Sequence, residues 1–216
     1  MESSQNDNQS SPSYYYETSD LVIIALFAAL GGVLSSVIAN IANIFNIIVA
    51  GGGQLFAGLH VFWFVLVFLF TKRKKGTVIL TGIIKGFIEL FTGNPLGVVA
   101  VIISVGEASV FEIIYLSLSA LISSQKFDHI KIVVAAGLGT ATNMIILIGI
   151  LLGKGLPFQL ILIMTFFSLI SGIFLGGYFG LILFQLFQQS GLLSWRKETI
   201  ESEDSSSSQK PLEKQF

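Results

Sequence analysis

The chain has 216 residues, 53% of them hydrophobic and 12% charged, with a net charge of −1 and no cysteine. Soluble domains carry about 25% charged residues, so this composition suits a bilayer, and with no basic stripe to neutralise phosphates it argues against nucleic acid as a partner. The lack of cysteine excludes disulfides, thiolate metal sites and a cysteine nucleophile.

At about 20 residues per span, the length allows about six helices, an all-α polytopic membrane bundle without a sizeable soluble domain. Residues 1–19 are rich in Ser, Asn, Gln and Tyr and lack the basic region of a signal peptide; they are expected to form a disordered tail. The membrane domain is expected over 20–190. Its first apolar block runs from Asp20 to Asn40 and holds two small-residue pairs at four-residue spacing, Ala25 with Ala29 and Ala28 with Gly32. Such pairs let another helix approach closely, inside the bundle or from a partner. Ile41 to Gly53 is apolar but ends in Ala50-Gly51-Gly52-Gly53, and reads as a loop or re-entrant piece shielded from lipid.

The second block, Gln54 to Thr71, places His60 and Trp63 three residues apart near one end. They read as an interfacial belt or as an aromatic platform for a heteroaromatic or cationic ring. The third block, Gly76 to Phe91, is short and carries Lys85 and Glu89 at i, i+4, hence on one face. The turn Gly93-Asn94-Pro95-Leu96-Gly97 follows, and its freed amides are available to a solute. The fourth block, Leu96 to Ile122, holds Glu107 and Glu112, about 140° apart around the helix axis. A charge at the bilayer centre costs about 2.5–3.5 kcal/mol, so Lys85, Glu89, Glu107 and Glu112 must pair or line a cavity. The fifth block, Ile130 to Leu152, contains Asn143, which either joins helices or touches the solute. The sixth, Pro157 to Gln188, is long enough to tilt. Residues 191–216 include Ser205-Ser206-Ser207-Ser208 among charges and read as a second disordered tail.

Basic residues gather on one side of this topology: Lys72, Arg73, Lys74 and Lys75, then Lys126 and Lys131, then Arg196 and Lys197, against Lys154 opposite. The positive-inside bias therefore predicts a plasma-membrane protein with both termini cytoplasmic. His60 and His129 are too few and too separated for a histidine-rich metal site. No nucleophile–base pair, zinc motif, phosphate loop or dinucleotide fingerprint occurs. No enzyme, metal site or cofactor is expected, and ATP hydrolysis would need another chain.

About six spans, the Ala-x-x-x-Ala pair and the stretch Glu89-Leu-Phe-Thr-Gly93-Asn94-Pro95 resemble the substrate-binding S components of energy-coupling factor (ECF) transporters. The resemblance is greatest to the thiamine/hydroxymethylpyrimidine (YkoE-type) subfamily, and it covers about Asp20 to Tyr115. It implies a subunit that captures a vitamin in an outward pocket capped by the loop between the first two helices. Partners implied are a transmembrane T component and two ABC ATPases, with Ala25, Ala29 and Gly32 as the docking face. The substrate contacts expected are Glu89, Asn94, Glu112, Glu107, Trp63, His60 and Asn143, with Lys85 and Glu89 as an ion pair. That family's pattern has an acidic residue where Glu112 stands and commonly glutamine where Glu107 stands; Lys85 and the extra carboxylate depart from it. A stand-alone ion-coupled transporter of a small cationic solute, an intramembrane enzyme and a purely structural subunit are the alternatives.

Overall fold

The structure, a computed structural model, describes residues 15–49, 51–149 and 157–190. Most of the first expected tail, all of the second, and Lys154 lie outside the described residues. Within the described residues six helices follow in order: α1 Thr18–Ile48, α2 Gly58–Phe70, α3 Thr77–Phe91, α4 Val98–Leu121, α5 Asp128–Leu147 and α6 Phe158–Gln189. A 3₁₀ turn at Gly52–Phe56 joins α1 to α2, and another at Gln125–Phe127 precedes α5. Among the described residues five segments are long and apolar enough to cross a membrane, α2 only together with the 3₁₀ turn before it as Gly52–Phe70; α3, with 15 residues, is the helix left out.

α1 departs from expectation. It opens on a capping box, the Glu17 N–H reaching the Asp20 carboxylate at 3.0 Å, and then runs without a break to Ile48. The stretch from Ile41 onward is therefore helix rather than loop. It contains no Gly or Pro before Gly51; the helix stops where Val49 turns extended, and Gly51, with a φ of 83°, then leads into the 3₁₀ turn. Asn40, Asn43 and Asn46, three residues apart, place amides along that last part of α1.

Apart from His60 near its start, α2 is apolar all round, which marks a central helix. Its Val61, Phe64, Val65 and Phe68 form the core with Val78 of α3, Ala108 and Phe111 of α4, Ile132, Ala135 and Ala136 of α5, and Leu181 of α6. Glycines bring backbones together around it. Gly82 and Gly86 of α3 abut Ser104, Ala108 and Val101 of α4, and Gly58 of α2 abuts the Ser171 backbone of α6. Ser171 also fastens the first connection, accepting from the Gly58 N–H at 2.9 Å and donating to the Leu55 carbonyl at 2.6 Å. Past Ser171, α6 widens into a π-helical stretch over Gly172–Tyr178, where Gly172 and Gly177 lie against α5.

The α2–α3 turn lies at the opposite end from Gly93–Gly97 and is held by charge. Lys74 donates to Asp20 and to Glu17 at 3.2 Å, tying the turn to α1. Arg73 pairs with Asp128, which Lys131 also reaches at 2.9 Å. Burial opposes the charge on Lys74, but its bonds to Asp20 and Glu17 outweigh that and hold the ammonium above the usual lysine range. A raised folded value means this contribution is fully present at neutral pH and is lost only as pH climbs through it.

Candidate functional site

α3 runs toward the Gly93–Gly97 turn and α4 returns from it, so Lys85 and Glu89 face Ser104 across a contact closed by Gly82 and Gly86. The Lys85 ammonium pairs with Glu89 and donates to Ser104 Oγ at 3.1 Å; Ser104 in turn donates to Glu89 Oε2 at 3.0 Å. The ring of Phe64 lies 5.3 Å from Lys85 Nζ, a cation–π contact. His60 Nδ1 of α2 lies 3.7 Å from Glu89 Oε1. Lys85, Glu89 and Glu107 are all buried.

The turn is shaped by Gly93 and Gly97, with φ of 79° and 55°, values that a residue with a Cβ resists. Asn94 closes it: its backbone N–H bonds Glu89 O at 3.1 Å, and its side-chain Oδ1 accepts from the Leu96 N–H at 3.0 Å. Ser36 of α1, 2.6 Å from Thr92 Oγ1, ties α1 to the end of α3.

Between the end of α1, the 3₁₀ turn and the Asn94 turn lies a cavity of about 100 Å³. Its polar lining comes from Asn43 and Asn46 of α1, Gln54 of the 3₁₀ turn, His60, Glu89, Asn94 and Asn143. Gln54 Oε1 and His60 Nδ1 are buried there without a hydrogen-bond partner. Both carboxyl oxygens of Glu107 are likewise buried with no partner at hydrogen-bond distance, the Asn143 side chain being the amide that faces them, one turn along α4 from the lining residue Ile103. Leaving a buried polar group unpaired costs about 1–3 kcal/mol. Several such groups around one cavity make it a place suited to a polar guest.

Of the residues singled out from the sequence, Glu89, Asn94, His60 and Asn143 meet at this cavity, with Lys85 behind Glu89 and Glu107 beneath the lining. Glu112 and Trp63 do not join them. Glu112 sits at the far end, accepting from the backbone N–H groups of Gly76 and Ile79 at the start of α3. The first N–H groups of a helix lack partners and carry positive partial charge, so a carboxylate within reach caps them. Trp63, about 60° further round α2 than His60, turns onto the Gly31 backbone and contacts Phe27 and Phe62. Among the docking residues, Ala25 and Ala29 face outward, while Gly32 is packed on Ile88 and the Lys85 carbonyl.

Ser104, Gln54, Asn43 and Asn46 belong to the site without having been singled out. Ser104 precedes Glu107 by three residues, and Asn43 and Asn46 share that spacing; the helical period was the signal for both pairs.

No curated protein sequence matches the chain significantly. The fold is similar to a solved structure described as "Crystal structure of an S-component of ECF transporter", with a TM-score of 0.71 and 20% identity, over 91% of this chain and 100% of that one. The bundle is thus S-component-like in its fold. A family model described as "ABC-type cobalt transport system, permease component" matches residues 19–142, which take in α1 through most of α5 and nearly every residue of the cavity; the chain belongs to that family.

Proposed function

We propose that this protein is the substrate-capture S component of an ECF-type vitamin uptake transporter, and that it takes thiamine or its hydroxymethylpyrimidine precursor. The observation that carries this reading is the cavity beside the Asn94 turn, where the Glu89 carboxylate meets the unpartnered Gln54 and His60 atoms. An aminopyrimidine donates to a carboxylate and accepts from amides, which is the complement of this lining.

The family description names cobalt. Among the described residues, no three His, Cys, Asp or Glu side chains converge in a way that would hold a metal ion. The cavity donors are chiefly amides with one imidazole and one carboxylate, a set that suits an organic solute better than a transition metal. Pockets for small organic ligands span roughly 300–1,000 Å³, well above the present cavity of about 100 Å³. Capture therefore includes an outward shift of the 3₁₀ turn and the end of α1. The Lys72–Lys75 end faces the cytoplasm and the Asn94 turn faces outward, in keeping with the positive-inside bias. Ala25 and Ala29, exposed on α1, form the surface on which a T component docks, and that component with two ABC ATPases supplies the energy.

Calorimetric titration of the detergent-solubilised protein with thiamine and with hydroxymethylpyrimidine tests the reading. Saturable binding of either is expected. Failure of both to bind, or uptake into vesicles driven by a proton gradient with no ATPase present, would replace it with the ion-coupled carrier.

A further inference from the structure

The polar core beneath the cavity holds one lysine and two glutamates, and they are paired unequally. Lys85 bonds to Glu89 and to Ser104, while Glu107 has the Asn143 amide facing it but neither carboxyl oxygen within hydrogen-bond distance of a partner. Ser104 and Glu107 are three residues apart on α4, so their side chains rise side by side on one helical face. Ser104 is already within 3.1 Å of the Lys85 ammonium. A lysine has four methylenes to rotate about, and Ser104, bonded to both Lys85 and Glu89, stands on the α4 face that carries Glu107, so a turn from Glu89 toward Glu107 passes it. Phe64, which lies near the ammonium, offers it a ring face during that movement.

We infer that Lys85 is an exchangeable internal counter-ion: it neutralises Glu89 until a cationic group of the substrate takes that carboxylate, and it then turns to Glu107, whose carboxyl group releases its proton to solvent as it becomes the lysine's partner. A lysine serving only to join α3 and α4 gives no reason for a second carboxyl group, unpaired and equally dry, one turn away. A carboxyl group this dry, with no cation bonded to it, is held in its neutral form, so Lys85 and Glu89 alone balance before the substrate arrives, and an incoming positive charge is matched by the proton that leaves Glu107. That balance selects an organic monocation, such as a quaternary azolium or a protonated amine, over a neutral analogue. This inference rests on the capture reading above and narrows it.

The test is titration of the purified full-length protein with thiamine, a monocation, and with hydroxymethylpyrimidine, which is neutral. Glu107→Gln keeps the shape of the side chain and an oxygen that can still face the Asn143 amide, so the variant is expected to fold; a monodisperse elution profile verifies that. It should weaken thiamine binding at least about tenfold and leave the neutral compound within about threefold. The double variant Lys85→Met with Glu107→Gln, in which no lysine needs a new partner, should recover thiamine binding to within about threefold of the parent. Unchanged thiamine affinity in Glu107→Gln, equal losses for both compounds, or a double variant no better than Glu107→Gln would each overturn the exchange while leaving capture intact. A parent protein that binds only the neutral compound also overturns it. A parent that binds neither takes down the capture reading itself, and the exchange with it.

Discussion

Two buried glutamates of this chain do opposite work, and their partners decide which. Glu89 meets a lysine, a serine and a histidine beside a cavity. Glu112, also deeply placed, bonds to the first backbone amides of α3. Glu89→Gln should weaken ligand binding at least about tenfold, because a charge-assisted contact is lost, and it should also lower thermal stability by leaving Lys85 buried without its counter-charge. Glu112→Gln should behave differently. It removes a helix cap and costs about 1–2 kcal/mol of stability, seen as a lower melting temperature in detergent, with ligand affinity unchanged by calorimetry. A loss of affinity there equal to that of Glu89→Gln would return Glu112 to the site.

At the scale of elements, the connections explain why the helices hold their positions. The turn from α2 to α3 forces Lys72 and Arg73 to φ of 54° and 61°, left-handed conformations that cost a residue with a Cβ about 1–2 kcal/mol. The ion pairs of Lys74 with Asp20 and of Arg73 with Asp128 offset that strain by fixing the turn to α1 and α5. Lys72→Gly should therefore hold or raise the melting temperature, whereas Lys75→Gly, outside the left-handed region, should lower it. A lower melting temperature for Lys72→Gly would show that the backbone there is unstrained. α1 teaches a related lesson. The run Gly51-Gly52-Gly53 suggested a long loop, yet only Gly51 needs its special φ. A glycine run marks where a helix stops and leaves open how far back the helix extends.

For the whole molecule, the outer surface matters as much as the cavity. Leu21, Val22, Leu26, Leu30, Val33 and Val37 leave a wide apolar face on α1, with Ala25 and Ala29 among them. If a T component docks there, Ala29→Trp should keep the parent's ligand affinity and abolish ATP-dependent uptake in proteoliposomes carrying the full transporter. Uptake at the parent's rate would move the docking surface elsewhere. Gly32 cannot share that role, since it is already closed against α3.

Apolar block lengths, sparse charge and the Gly-Asn-Pro-Leu-Gly turn determined, from the sequence by itself, a bundle of about six helices and the end at which Glu89 and Asn94 lie. Those signals are local: a span must be long enough and apolar enough, and a turn needs glycines. Which carboxylate would have a free neighbour was decided only by tertiary structure. Glu107 and Glu112 are alike in type and burial, and five residues of one helix separate a position under the cavity from one at the start of α3. The same holds for His60 and Trp63, parted by a small rotation about α2. A side chain's partners depend on which helix stands opposite, and helix spacing in this bundle is set by glycine contacts between segments far apart in the chain, information that no window of sequence contains.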